Sequence, residues 1–246
     1  LHHEHYQGGR HVFPMEKAAV RSHLQHADFP NLTVTTLCWP LSTIRISGAD
    51  RREVEALADH ILASWEAYSD PEVGILAATE ENGRKTAHNA ITPIARRNRK
   101  GEYELDLALR NNITTTELPD GVFHPHPEYH HIKKENIGLI EVMGLAVLPG
   151  RLQQELNLIT ELLCGKPAGE LTEEQNAMLD KHQPWIRRLT AEHGTAMAEA
   201  EARQLLKQEV GTIFSRVLAC CGVFKEDEAG QRAFGRFLQS MGFREQ

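Results

Sequence analysis

His124-Pro125-His126-Pro127-Glu128-Tyr129-His130-His131-Ile132-Lys133-Lys134-Glu135-Asn136 runs straight into a mostly apolar segment at 137–148. Four of the chain's fourteen histidines fall within the first eight residues of this stretch. That density is more than solvated surface requires. An extended backbone repeats every two residues, so His124 and His126 are predicted to share one face of a strand, with Pro125 turned the other way. Pro125 cannot donate to a ladder, which places the strand at a sheet edge and leaves the imidazoles open to a metal, a phosphate or a proton. The same device occurs at His3-Glu4-His5-Tyr6-Gln7-Gly8-Gly9, where Gln7 extends the row by one position.

With 246 residues and 41% apolar side chains, the chain can form one large domain or two small ones. No run approaches eighteen apolar residues, and the start has neither a basic nor an apolar leader region. No membrane span or signal peptide is therefore expected, and the chain reads as cytoplasmic. Cys38, Cys164, Cys220 and Cys221 lack C-x-x-C spacing and sit in apolar contexts, which favours reduced, packed thiols. A formal charge of −7 argues against nucleic acid as a general partner and leaves room for a local basic pocket. The chain begins inside a motif with no strand to deliver it, so an N-terminal portion is expected to precede it.

Residues 10–29 are read as loop with a short helix at 16–26. Residues 32–38 and 41–47 alternate β-branched and polar positions and are predicted to be two strands. Asp50 with Glu53 resembles a capping box, and Val54, Leu57, Ala58, Ile61, Leu62 and Trp65 keep helical spacing to about Tyr68. Trp65 on this stripe reads as core. Residues 90–97 and 102–110 form a hairpin closed by Asn98-Arg99-Lys100-Gly101. From Pro149 the pattern becomes helical, with helices expected at 152–163, from Thr172 to about His182, from about Thr195 to Cys221, and at 230–241. The fold class is therefore α+β: an antiparallel sheet with helices on one side, followed by a helical C-terminal appendage. The expected divisions are 1–30, 31–148 and 149–246, the two H-x-H segments hinting at duplication of a larger unit.

Several groups could carry chemistry. If extended, His3, His5 and Gln7 share a face. An imidazole can attack phosphorus directly, giving a phosphoramidate whose cationic imidazole leaves well in a second step, while a carboxamide can steady a non-bridging oxygen. The same spacing suits a plain surface segment. His124 and His126 could ligate a metal or wall a pocket, with Glu16, Glu128, His130 and His131 as unranked third ligands, or simply be structural. Lys133 and Lys134 precede a helix expected near Asn136, so basic side chains and free N–H groups could meet a phosphate. Arg110-Asn111-Asn112 at a strand end offers a guanidinium fork and two amides for sugar or phosphate, or merely a turn. A non-catalytic metal- or sugar-phosphate-binding domain and a histidine-triad dinucleotide hydrolase or phosphorylase are the alternative functions.

The run His3 to Gly9 resembles the active-site signature of class II, Gram-positive type galactose-1-phosphate uridylyltransferases of the histidine-triad superfamily. The likeness continues through Asn89-Ala90-Ile91-Thr92-Pro93-Ile94-Ala95-Arg96, Leu109-Arg110-Asn111-Asn112 and the run from Gly121 to Gly144. It implies a histidine-triad-like fold, with 1–30 the end of a first unit, 31–148 a second unit, and the chain a C-terminal half with little activity alone. It implies ping-pong uridylyl transfer between UDP-glucose and galactose-1-phosphate in galactose metabolism, with His5 as the nucleophile that carries the uridylyl group. His3 would support His5, and Gln7 would bind the non-bridging oxygen. Arg110, Asn111, Asn112 and Lys133 would be substrate-binding, and the enzyme would be a cytoplasmic homodimer. In the related class I enzymes an H-x-H pair helps hold a structural iron or zinc ion, which would fall here to His124 and His126.

Overall fold

The computed structural model describes residues 6–246. Its centre is a six-stranded antiparallel sheet in the order β6-β7-β3-β2-β1-β8. The strands are β1 (Val20–Gln25), β2 (Thr33–Leu37), β3 (Thr43–Gly48), β6 (Asn89–Arg97), β7 (Tyr103–Asn111) and β8 (Arg244–Glu245). A separate two-stranded hairpin, β4 (Ala78–Glu81) and β5 (Arg84–Ala87), lies between α1 (Arg51–Ala67) and β6. The α+β expectation holds, as do the β2–β3 pair, the helix after Asp50 and the β6–β7 hairpin.

Alternation along β3 and β7 assigns the two faces. Ile44, Ile46, Leu107 and Leu109 point into one core, where Val54, Leu57, Ile61 and Trp65 of α1 meet them. Asp50 caps α1 by accepting from the Arg52 amide (2.8 Å). The same core takes Phe234, Phe237 and Leu238 from α7 (Glu228–Ser240). Trp65, with no exposed surface, is the hub: its indole donates to the carbonyls of Ala90 (3.0 Å) and Arg110 (3.1 Å), partners in the β6–β7 ladder.

On the opposite face Asp106 is fully buried and accepts from Arg45 Nε (2.6 Å) and Arg96 Nη2 (2.6 Å). Arg45 also reaches the Met15 carbonyl (3.1 Å), which fastens the Pro14–Lys17 turn over this face. Ala108 and Leu41 there meet Phe214, Val217 and Leu218 from the end of α6 (Glu199–Cys221). At Gly222 the chain leaves α6 and passes so close to the Pro40 carbonyl that an added Cβ would sit 2.3 Å from its oxygen. Phe224 then enters the α1 core.

A second core joins α3 (Leu152–Leu163), α4 (Glu173–Leu179), α5 (Gln183–His193) and the first half of α6. The expected Thr172 cap is present, with reciprocal bonds to Gln175. At its edge His131 Nδ1 meets His182 Nδ1 (2.9 Å), and His182 Nε2 donates to Glu155 (3.0 Å), which also bonds Arg151 (2.8 Å) and Lys181. Burial, then the charges of His182 and Arg151, push His131 down to about 4. Burial also holds His182 low, although Glu155 opposes it.

Three expectations are corrected. The helix at 16–26 is instead a short turn followed by β1, because the polar residues of that strand mask its alternation. His124 and His126 are not on a strand: the segment turns, with a single 3₁₀ turn at Pro127–Tyr129, since Pro125 and Pro127 remove two ladder donors and the sheet edges are β6 and β8. The helix near Asn136 is only α2 (Leu139–Val142), entered from Gly138 and left at Gly144, whose φ is +96°. The β4–β5 hairpin, α5 and the short β8 went unread. Helix α5 falls between the expected end near His182 and the expected start near Thr195, and its Pro184 sits in the first turn, where proline is tolerated. Asn82-Gly83, both at positive φ, makes the β4–β5 turn. Among the described residues no helix is long and apolar enough to cross a membrane.

Trp65→Phe keeps the ring but strips both carbonyls of their indole donor, and should cost roughly 1–3 kcal/mol in urea unfolding; an unchanged midpoint would show the bonds to be idle. The histidine pair sets an acid dependence. The depressed His131 and His182 resist protons that the unfolded chain takes near pH 6.5, so their contribution is full above that and lost as pH falls toward about 4. The urea midpoint should fall between pH 7.5 and 5, and fall less in His131→Gln; equal slopes in the two proteins would remove this pair as the cause.

Candidate functional site

The end of β7, the start of β6, the turn at 120–125 and Asn136-Ile137 enclose a cleft of about 370 Å³. Its floor follows from the ladder. Asn89 faces Asn111 and Ala90 faces Arg110 across β6 and β7, and Trp65 clamps that last pair from below.

Arg110 is half-buried, and its guanidinium makes one hydrogen bond, from Nη2 to the Ile137 carbonyl (3.3 Å). Among the described residues no carboxylate is within ion-pair distance of it. Burial lowers its pKa, with weak opposition from Cys221 and Glu141. A guanidinium with most of its donors unspent in a partly desolvated cleft suits a phosphate or carboxylate.

Asn111 differs from its neighbour. It is buried, donating to Leu76 O (3.0 Å) and Asn89 Oδ1 (2.6 Å) and accepting from the Ile113 amide (2.9 Å). Asn89 in turn donates to the carbonyls of Trp65 and Tyr68. Asn111 thus straps the strand end, whereas Asn112 stands exposed on the cleft. His124 lies across from them, its Nε2 donating to Asn136 Oδ1 (2.8 Å).

Of the sequence candidates, the cleft gathers Arg110, Asn111, Asn112 and His124. It does not gather Lys133 or His126. Lys133 is buried against Glu141 (2.7 Å) and the Val147 carbonyl (3.1 Å). His126 turns toward the Val122 carbonyl (3.4 Å). Gln7 is exposed, and His3 and His5 lie outside the described residues. His130 bonds the Pro125 carbonyl (2.8 Å), and His131 belongs to the helical core edge.

Each ring of the histidine run therefore has its own internal partner. Among the described residues no three His, Cys, Asp or Glu side chains group to hold a metal ion. Among the described residues His124 and His126 face different partners, with no third ligand grouped beside them.

Sequence reasoning did not single out the lining residues His88, Thr92, Asp120, Asn136 and Cys221. Burial pushes the Cys221 thiol up to about 11 although Arg110 pulls it down, which favours the protonated thiol at neutral pH. His88 gave only a weak signal, its place one residue before the Asn89 run.

Comparison of the sequence with known proteins matches the chain to a family. A family described as galactose-1-phosphate uridyl transferase, C-terminal domain, matches residues 1–187. A galactose-1-phosphate uridylyltransferase of Caldanaerobacter subterraneus subsp. tengcongensis is 51% identical over 99% of this chain and 47% of its own length. One of Halalkalibacterium halodurans is 45% identical over 98% of this chain and 46% of its own. A protein of Streptococcus pneumoniae serotype 4, galactose-1-phosphate uridylyltransferase 2, is 46% identical over the same shares. No solved structure matches the chain significantly. The chain spans about half the length of these curated relatives, and it belongs to the family of galactose-1-phosphate uridyl transferase C-terminal domains.

Proposed function

We propose that this chain supplies the C-terminal share of an enzyme that moves a uridylyl group between UDP-glucose and galactose-1-phosphate, in the cytoplasm and as a homodimer. The observation that carries the local part of this reading is Arg110: a half-buried cation in a cleft, with no carboxylate among the described residues within ion-pair distance of it. A sugar phosphate supplies the missing charge.

In the proposed chemistry an imidazole nitrogen of His5 attacks the α-phosphorus of UDP-glucose. A P–N bond forms, the P–O bond to glucose-1-phosphate breaks, and that phosphate oxygen keeps the electron pair. A phosphate oxygen of galactose-1-phosphate then attacks the same phosphorus, the P–N bond breaks, and the pair returns to the ring. His3 supports the ring of His5, and Gln7 donates to a non-bridging oxygen. Arg110 holds the sugar phosphate, Asn112 and His124 line its site, and Asn111 fixes the strand end that presents them. Lys133 is spent on Glu141 in the described geometry, so it enters this reading only as support for the loop beside the cleft.

Two outcomes follow. Arg110→Met should weaken binding of glucose-1-phosphate to this chain roughly tenfold to a hundredfold, the worth of a charged hydrogen-bonded contact, measured by calorimetry; unaltered affinity would remove the cleft from the reading. In the full-length protein, His5→Asn should abolish incorporation of label from uridine-labelled UDP-glucose, and retained covalent labelling would assign the nucleophile elsewhere.

A further inference from the structure

His88 is a buried imidazole that the proposed reaction does not use. It precedes β6, lines the cleft and is 7% exposed. Its backbone is pinned at both ends: its amide donates to the Ala77 carbonyl (2.8 Å), and its carbonyl accepts from the Asn112 amide (3.0 Å). Its ring is pinned as well, with Nε2 2.8 Å from Thr79 Oγ1 and Nδ1 3.0 Å from Asn112 Oδ1.

These contacts fix the protons. An amide oxygen can only accept, so Nδ1 carries the hydrogen. In the neutral ring Nε2 then holds the lone pair and accepts from the Thr79 hydroxyl. Both ring nitrogens are thereby occupied, and the ring has neither a free lone pair for a metal nor a free site for a substrate proton. What the ring does control is Asn112. A carboxamide on an exposed strand end can turn either its oxygen or its amine outward. With Oδ1 held by His88, the amine is what Asn112 has to offer a ligand, on the cleft that also holds Arg110. An oxygen there would repel an anion, and an amine attracts one.

We propose that His88 is a positioning residue, which locks the Asn112 carboxamide with its amine toward a phosphate-bearing sugar held by Arg110. This rests on the reading of the cleft as a sugar-phosphate site. It also gives the small β4–β5 hairpin a task, because Thr79 sits on β4 and the Asn82-Gly83 turn folds that strand back beside His88.

The test separates the two nitrogens. Asparagine places its amide near the position of Nδ1, and glutamine places its amide near that of Nε2. His88→Asn can therefore still donate to Asn112, whereas His88→Gln keeps a partner for Thr79 and releases Asn112. Glucose-1-phosphate is titrated into this chain by calorimetry, and the side-chain amide signals of Asn112 are followed by 15N NMR, assigned by their loss in Asn112→Asp. His88→Gln is expected to weaken binding roughly fivefold to tenfold, the worth of one orienting hydrogen bond, and to leave the Asn112 amine signals unmoved by ligand. His88→Asn is expected to stay within about twofold of the parent, with the signals moving on titration. Thr79→Val, at a half-buried site, should fall between them; it carries the test if the His88 variants do not fold.

Parent-like binding by His88→Gln and Thr79→Val, while Arg110→Met loses affinity, would overturn the positioning role and leave the cleft reading intact. Equal losses in His88→Gln and His88→Asn with matching drops in melting midpoint would overturn it in favour of a purely structural imidazole. If Arg110→Met binds as tightly as the parent, the cleft reading falls and this inference falls with it.

Discussion

The indole N–H of Trp65 is shared between two backbone carbonyls, those of Ala90 and Arg110, and the geometry of the cleft depends on that contact. A sheet face is positioned mainly by apolar burial, which is non-directional and tolerates sliding. One buried donor aimed at a ladder pair removes that freedom, because a slip of the helix would leave two carbonyls and an indole unpaired in the core. Tyr68 stacks on the same ring at 6.0 Å, and Phe237 of α7 packs edge-on at 5.1 Å, so α1, α7 and the β6–β7 pair meet at one side chain. Arg110 therefore sits on rigid backbone although its own side chain is only loosely held.

The opposite face of the sheet solves a different problem. Asp106 is fully buried, and two guanidiniums share it. Such an arrangement is weak evidence for stability, since desolvation offsets much of the attraction, but removing any one partner would strand a charge. Its effect is to fix register: Arg45 lies opposite Asp106 in the β3–β7 pair, and Arg96 opposite Glu104 in the β6–β7 pair. A one-residue slip would break every one of these pairs. The two faces thus define the strand ends from which the cleft is built.

Much of this was legible in the sequence, and the limits have physical causes. The α1 stripe, the β2–β3 and β6–β7 pairs and the Thr172 cap each rest on a period or on cap chemistry that acts within a few residues, and each was read correctly. The histidine run misled because spacing was taken as geometry. H-x-H places two rings on one face only if the backbone is extended, and the two prolines that set off the motif also prevent that. Arg110 and Asn112 were visible as polar residues at a strand end, but nothing local distinguishes the strapped Asn111 from the exposed Asn112. That difference comes from Asn89 and Leu76, more than twenty residues earlier in the chain. His88 was hidden for the same reason, its two partners lying nine and twenty-four residues away.

The state of Arg110 links fold to function. Other buried or half-buried cations among the described residues have carboxylate partners: Arg45 and Arg96 in Asp106, and Lys133 in Glu141. Lys225, also pushed down by burial, caps the end of α6 through the carbonyls of Ala219 and Cys220. Arg110 has one long bond to a carbonyl and a neutral thiol beside it. Partly desolvating a guanidinium without a counter-ion costs free energy in the ligand-free chain, and an anion arriving in the cleft recovers it. Because the side chain hangs from a strand end that Trp65 and Asn111 hold in place, little further ordering of the backbone is needed when the anion binds. The partial burial that makes Arg110 costly without an ion-pair partner would also strengthen its attraction for an anion beyond what an exposed arginine could offer.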